Sequence, residues 1–121
     1  MISDKQRAKR NKQIALKHVD SMRHKNVVNH IVSSAHLTDE HELMKFLICR
    51  QLLKEGKEFY TECIMTTGDR ADILVLEDLK IIEILHSETE AQFAKKIKRY
   101  PADFEIIGVK SDQPWNDKLI Y

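Results

Sequence analysis

The chain has 121 residues and a mass of 14.2 kDa, the size of one domain with room for a short flanking segment. Hydrophobic residues make up 42% and charged residues 32%, so one core can form, while three Gly and two Pro exclude a collagen-like or Pro/Gly-rich disordered chain. The formal net charge of +1 argues against a uniformly basic nucleic-acid binder, but an average conceals how charge is distributed.

That distribution is uneven. Residues 1–26 carry eight Lys or Arg against Asp4 and Asp20, a net +6, whereas residues 27–121 carry twelve against seventeen Asp or Glu, a net −5. A basic N-terminal arm, 1–26, is therefore expected ahead of a mildly acidic domain, 27–121. Sparse apolar residues in the arm (Ile14, Ala15, Leu16, Val19 and Met22) predict a weakly amphipathic helix over about 4–24. Its Lys5, Arg7, Lys9, Arg10 and Lys12 are candidates for phosphate contacts, set against the plainer reading of a solvated basic helix.

Residues 26–37 are apolar without a period and read as a helix continuation or a strand-like link. Thr38 or Asp39 then caps a helix over 39–55. Glu40 and Glu42 suit its N-terminal dipole, Leu43, Phe46, Leu47, Leu52 and Leu53 give a broad apolar face, and Gly56 stops it. Strands are predicted over 58–66, 70–77 and 79–86, with turns at Thr67-Gly68-Asp69 and Glu77-Asp78. Ser87 or Thr89 caps a helix over 88–99 that Pro101 ends, and a fourth strand covers 104–109.

Cys49 and Cys63 lie within apolar runs and read as buried thiols, not a disulfide framework. The N-terminus lacks the apolar core of a signal peptide, and no run of eighteen apolar residues exists. A soluble, cytoplasmic protein without a membrane contact is expected.

Two acids interrupt apolar strands. Asp72 breaks the run Ala71 to Leu76, and Glu83 breaks the run Ile81 to Leu85. Burying an unpaired carboxylate costs several kcal/mol, so such acids are paired, protonated or bound to a metal. If 77 and 79 are opposite across the hairpin, residue 72 faces about 84, and a shift of one residue would bring the two acids together. Adjacent carboxylates suit a hard cation, Mg²⁺ or Mn²⁺. The alternative is structural: Asp72 paired with Arg70, and Glu83 with Lys80 or a helical lysine.

The helix–strand–strand–strand–helix–strand order with Asp72-x10-Glu83 resembles the PD-(D/E)XK, or restriction-endonuclease-like, superfamily, which includes archaeal Holliday junction resolvases and competence-protein-like nucleases. The resemblance rests on Asp39-Glu40-His41-Glu42 with Lys45, on Arg70-Ala71-Asp72-Ile73, and on Ile82-Glu83-Ile84-Leu85-His86-Ser87; the run from Phe93 to Pro101 is similar to the helix that follows that core. It implies an α/β fold with an αβββαβ core and a mixed four-stranded sheet, and metal-dependent hydrolysis of DNA phosphodiester bonds, structure-specific or not. Asp72 and Glu83 would hold the metal with the Ile84 carbonyl, and Glu40 would be the acid from the first helix. Leu85 stands where the family has its lysine. Either a basic residue of the following helix takes that role, Lys96 first and Lys95 second, or the chain keeps the fold as a DNA-binding or assembly module without catalysis. A small interaction protein with salt-bridged acids is the third reading. The resemblance also implies that two copies can pair to cut two strands.

Other features are weaker. Six histidines are present, but His18, His24, His30 and His36 do not share a helix face, and no zinc spacing occurs. His41 could contact phosphate or orient water, or be an ordinary helix-start histidine. Glu62 could be a third acid near the site or an edge-strand surface acid, and Trp115 and Tyr121 could stack on bases or pack on the core.

Overall fold

The computed structural model describes residues 2–23 and 27–121. Three α-helices, α1 (Asp4–Lys17), α2 (Asp39–Lys54) and α3 (Glu90–Arg99), accompany four strands, β1 (Phe59–Ile64), β2 (Arg70–Val75), β3 (Lys80–Leu85) and β4 (Glu105–Lys110), with a 3₁₀ turn at Asp117–Ile120. The sheet runs β1-β2-β3-β4. The first three strands form antiparallel hairpins, and β4 returns parallel to β3 after α3. The fold is α/β with a mixed four-stranded sheet.

Each helix boundary has a local cause. Ser3 caps α1 in a reciprocal box with Gln6, and Thr89 does the same for α3 with Gln92. Thr38 caps α2 by accepting from the His41 N–H. Gly56, at φ +71°, ends α2: its N–H reaches the Leu53 carbonyl and the Lys57 N–H reaches that of Leu52, which satisfies carbonyls the helix leaves open. Pro101 ends α3 differently, by holding Tyr100 extended at φ −79° and ψ 149°.

The sheet is covered on both faces, which is why β3 is an almost uninterrupted buried run. One face packs Met44, Ile48, Cys49 and Leu52 of α2 against Phe59, Ile73, Val75, Ile82, Ile84 and Val109. The other packs Ala15 of α1 with Tyr100 and Phe104 against Cys63, Met65, Leu74 and Ile81. Both cysteines are free and buried, and burial pushes each thiol up to about 12.

Two expectations change. The N-terminal helix ends at Lys17 instead of running to 24, and its basic length is docked: Ala15 is fully buried, Asn11 donates to the Glu77 carbonyl at 2.8 Å, and Lys12 pairs with Glu58. His18 and Val19 then join the end of β1, where the Thr66 N–H donates to the His18 carbonyl at 2.7 Å. His24, Lys25 and Asn26 lie outside the described residues. Residues 27–36 are neither helix nor strand. They run beside the free edge of β1, exchanging hydrogen bonds through Asn29 with Phe59 and through Val32 with the Thr61 hydroxyl, and so shield that edge.

A docked helix and a free arm respond differently to substitution. Ala15→Leu overfills a closed contact and is expected to cost about 1–3 kcal/mol, whereas Leu16→Asn on the open face should stay within about 0.5 kcal/mol. Urea unfolding of the two variants measures this, and equal midpoints would mean that α1 is not part of the packed unit.

Candidate functional site

The hairpin between β2 and β3 is one residue out of the register that sets 77 opposite 79. Val75 pairs with Lys80, residues 76–79 form the loop, and Leu79 takes a left-handed φ of 48°. The register therefore pairs Ile73 with Ile82, so Asp72 stands opposite Glu83 and not residue 84. On the other side of β2, Thr61 pairs with Ile73 and Cys63 with Ala71, which sets Glu62 across from Asp72. Three acids thus occupy one row across β1, β2 and β3.

At that row the β2–β3 ladder stops. The backbone groups it frees are taken by the acids themselves: Asp72 Oδ2 accepts from the Ile84 N–H at 2.8 Å, and Glu83 Oε2 accepts from the Asp72 N–H at 3.2 Å. Strand separation and carboxylate burial are one feature, because each acid stands in for a carbonyl of the missing ladder. Glu62 adopts φ 50° in the same row. A left-handed glutamate costs on the order of 1–3 kcal/mol and is held there by its partners.

Those partners come from α2. Lys45 is fully buried and its ammonium reaches Glu62 Oε1 at 2.7 Å, Glu42 Oε2 at 3.0 Å and the Val32 carbonyl at 2.8 Å. Desolvation opposes its charge, but the hydrogen bonds it donates to Glu62 and Glu42 outweigh that and raise its pKa. One turn earlier, His41 Nε2 lies 3.5 Å from Asp72 Oδ2, and its Nδ1 is buried without a hydrogen bond, 3.5 Å from Glu42 Oε1. Burial disfavours the imidazolium here too, yet the bond and charge of Asp72 prevail and the pKa of His41 rises.

The C-terminal end of α3 closes the opposite side. Because Pro101 holds Tyr100 extended, the phenol turns into the sheet and donates to Glu83 Oε1 and, at 3.2 Å, to the Arg70 carbonyl. Lys96 Nζ lies 3.9 Å from Glu83 Oε1. Helix α3 can lie this close because Gly108 lacks a side chain: a Cβ there would come within 2.7 Å of the Phe93 ring and 2.9 Å of Leu85.

The two carboxylates settle into different states. Burial, then the charge and hydrogen bond of Asp72, push Glu83 up to about 8, and Lys96 and Tyr100 only partly oppose this. Burial alone would raise Asp72 as well, but bonds from His41, Glu83 and Ile84 hold it below its ordinary value. The two carboxylates thus shift in opposite directions, Glu83 toward the protonated form and Asp72 toward the ionised one.

The expected residues divide into two groups. Asp72, Glu83, Lys96 and the Ile84 amide meet at the split, and Glu62 is part of the same cluster, only 10% exposed at its side chain. Glu40 stands at the rim, 62% exposed, its carboxylate 3.9 Å from His86. Lys95 is exposed on α3. The basic residues of the first turns of α1 are at the far end of the sheet: with Glu77, Lys5, Lys9 and Lys12 line one groove, and Arg7 lines another of about 670 Å³. Five residues separate Glu77 from Asp72, about 16 Å of strand. Trp115 packs on the α2-side core, and Tyr121 bonds Glu55 and lies under Lys80, so neither aromatic is at the split. The role of Lys45 was missed, although the spacing of His41, Lys45, Ile48 and Leu52 puts two polar groups on the buried stripe of α2.

Two measurements follow from this electrostatics. Lys45→Ala leaves Glu42 and Glu62 without their cation and should cost about 3–5 kcal/mol, with part recovered when Glu62→Gln is added. The raised pKa of Glu83 gives the second. Its folded pKa lies above the unfolded value of 4.5, so its contribution is complete below that value and is lost as pH rises toward about 8. His41, also raised, acts with the same sign. The melting temperature should fall between about pH 5 and 8, and Glu83→Gln should flatten the fall in thermal unfolding followed by circular dichroism.

Neither the family models, the curated proteins nor the solved structures compared with the chain give a match.

Proposed function

We propose that the chain is a restriction-endonuclease-like (PD-(D/E)XK) domain that hydrolyses DNA phosphodiester bonds with Mg²⁺ or Mn²⁺ held by Asp72 and Glu83. One observation carries this reading: the two carboxylates stand opposite each other at the point where β2 and β3 separate. The element order α2-β1-β2-β3-α3-β4, with β4 parallel to β3, supports it.

The donor chemistry fits a hard cation. Burial first, and then the charge of Asp72, raise Glu83, and a divalent ion would answer both with positive charge. Among the described residues no three His, Cys, Asp or Glu side chains form a metal-holding group. Two carboxylates are what Mg²⁺ commonly takes from a protein, its other positions going to water and phosphate oxygens; the Ile84 carbonyl is a further donor in this proposal. Such an ion, when bound, supplies an activated water and offsets charge on the scissile phosphate.

The chain's own residues would do the rest. Lys96, from α3, brings a positive charge to within 3.9 Å of Glu83 Oε1, taking the part that Leu85 cannot, since Leu85 turns toward Gly108 and the Phe93 ring. His41, bonded to Asp72, holds that carboxylate ionised and can position water or phosphate. Glu42, held by Lys45, lies 3.5 Å behind His41 Nδ1. DNA phosphates would meet Arg70 and the basic end of α3, Lys95 and Lys98 included, while Lys5, Lys9 and Arg10 of α1 form a second, remote basic surface. Glu40 is a rim residue in this scheme.

A second reading has its own observation, the leucine at 85: a nuclease-fold module that binds DNA without cutting it. Cleavage assays on branched, single-stranded and duplex DNA with Mg²⁺ or Mn²⁺ separate the two. Asp72→Asn and Glu83→Gln should each lower the rate by roughly 10²-fold or more, as should Lys96→Ala, with Lys95→Ala near wild type. Absence of cleavage on all three substrates, with salt-dependent DNA binding retained, would establish the second reading and sink the first.

A further inference from the structure

A surface helix needs one apolar face, and a helix that is apolar all round is a buried helix. Helix α2 already spends one face on the sheet through Met44, Ile48, Cys49 and Leu52. Its opposite face is also apolar: Leu43 is 63% exposed, Phe46 51%, Leu53 39% and Leu47 36%. At 100° per residue these four lie within one stripe, interrupted only by Arg50. The outer face of α3 behaves otherwise and presents Lys95, Lys98 and Arg99.

The ends of the stripe carry opposite charges. Asp39 lies at its N-terminal end, Arg50 and Lys54 toward its C-terminal end, all three exposed and none in an ion pair among the described residues. That pattern identifies the occupant. A parallel copy of α2 would set Asp39 on Asp39 and Lys54 on Lys54. An antiparallel copy sets unlike charges together at both ends at once, which is the self-complementarity a two-fold interface requires.

We propose that the outer face of α2 is closed by the same face of a second copy of this chain, the two helices running antiparallel about a two-fold axis between Phe46 and Leu47. In this register Asp39 faces Lys54 of the other copy, Phe46 faces Leu47, and the aliphatic stem of Arg50 covers Leu43. The helix is about 24 Å long, so the contact is small for a specific interface and the dimer is in reversible equilibrium with monomer. His41 and Lys45 are on the opposite face of α2, so pairing leaves the carboxylate row open, and the inference stands independently of the nuclease reading.

Sedimentation equilibrium of the full chain, over about 1–200 μM, tests this without any activity measurement. The wild type should pass from monomer to dimer. Phe46→Gln with Leu47→Gln should weaken the dimer at least about tenfold and, because both sites are exposed, leave the circular dichroism spectrum unchanged. Lys54→Asp alone should weaken it, and Asp39→Lys added to Lys54→Asp should restore it. A chain monomeric throughout, a dimer indifferent to the glutamine pair, or a charge swap that fails to restore association would each overturn the proposal; Leu43→Gln gives a third test of the face that leaves both helix ends intact.

Discussion

The place where β2 and β3 part governs this fold. A sheet interior does not tolerate free backbone groups, and the gap beyond the Ile73–Ile82 pair frees two amides. The carboxylates of Asp72 and Glu83 take them, each reaching to the other strand's backbone. An apolar pair could not fill this gap, because it would leave two buried N–H groups unpaired. The acids are thus structural, closing the backbone gap from both strands. Burial, and then their nearness, raises Glu83, and the row demands neighbours that compensate its charge.

The flanking elements can be understood as answers to that demand. Helix α2 contributes from its first turns, because the Thr38 cap fixes where the helix starts and hence that His41 and Lys45 point inward. Helix α3 contributes from its end, because Pro101 halts it and leaves Tyr100 extended over Glu83. Two boundary signals, a threonine and a proline, therefore position the polar groups around the row. Lys45 is shared between Glu42 and Glu62 and offsets part of their charge, with Arg70 3.9 Å from Glu62 on the open side.

Most of the architecture was legible in the sequence because it is encoded locally. Caps, Gly56, Pro101 and apolar runs placed three helices and four strands to within a few residues, apart from the early end of α1. What escaped is non-local. Hairpin register depends on a loop of four residues closed by a left-handed leucine, a conformation that leucine's propensity does not announce, and one residue of register decides whether the two acids meet. The edge cover by residues 27–36 has no period because it is made of isolated bonds, several through the Asn29 and Thr61 side chains, and not of a repeating ladder. Lys45 was visible as a residue but not as a buried one, since solvated lysines are far commoner.

The net charge can now be placed in space. The charge of the first turns of α1 is not a reservoir beside the carboxylates: Asn11 and Lys12 tie that part of α1 to Glu77 and Glu58, at the hairpin end of the sheet. Positive charge near the row comes instead from Arg70, Lys96 and the other late residues of α3, within a segment whose net charge is negative. A polyanion approaching the row would be held by local charge of short reach, since salt screens beyond roughly 8–10 Å, while the part of α1 docked at Glu77 lies about 16 Å of strand away. The two basic surfaces therefore act separately, and a nucleic acid that touched both would have to follow the sheet from one end to the other.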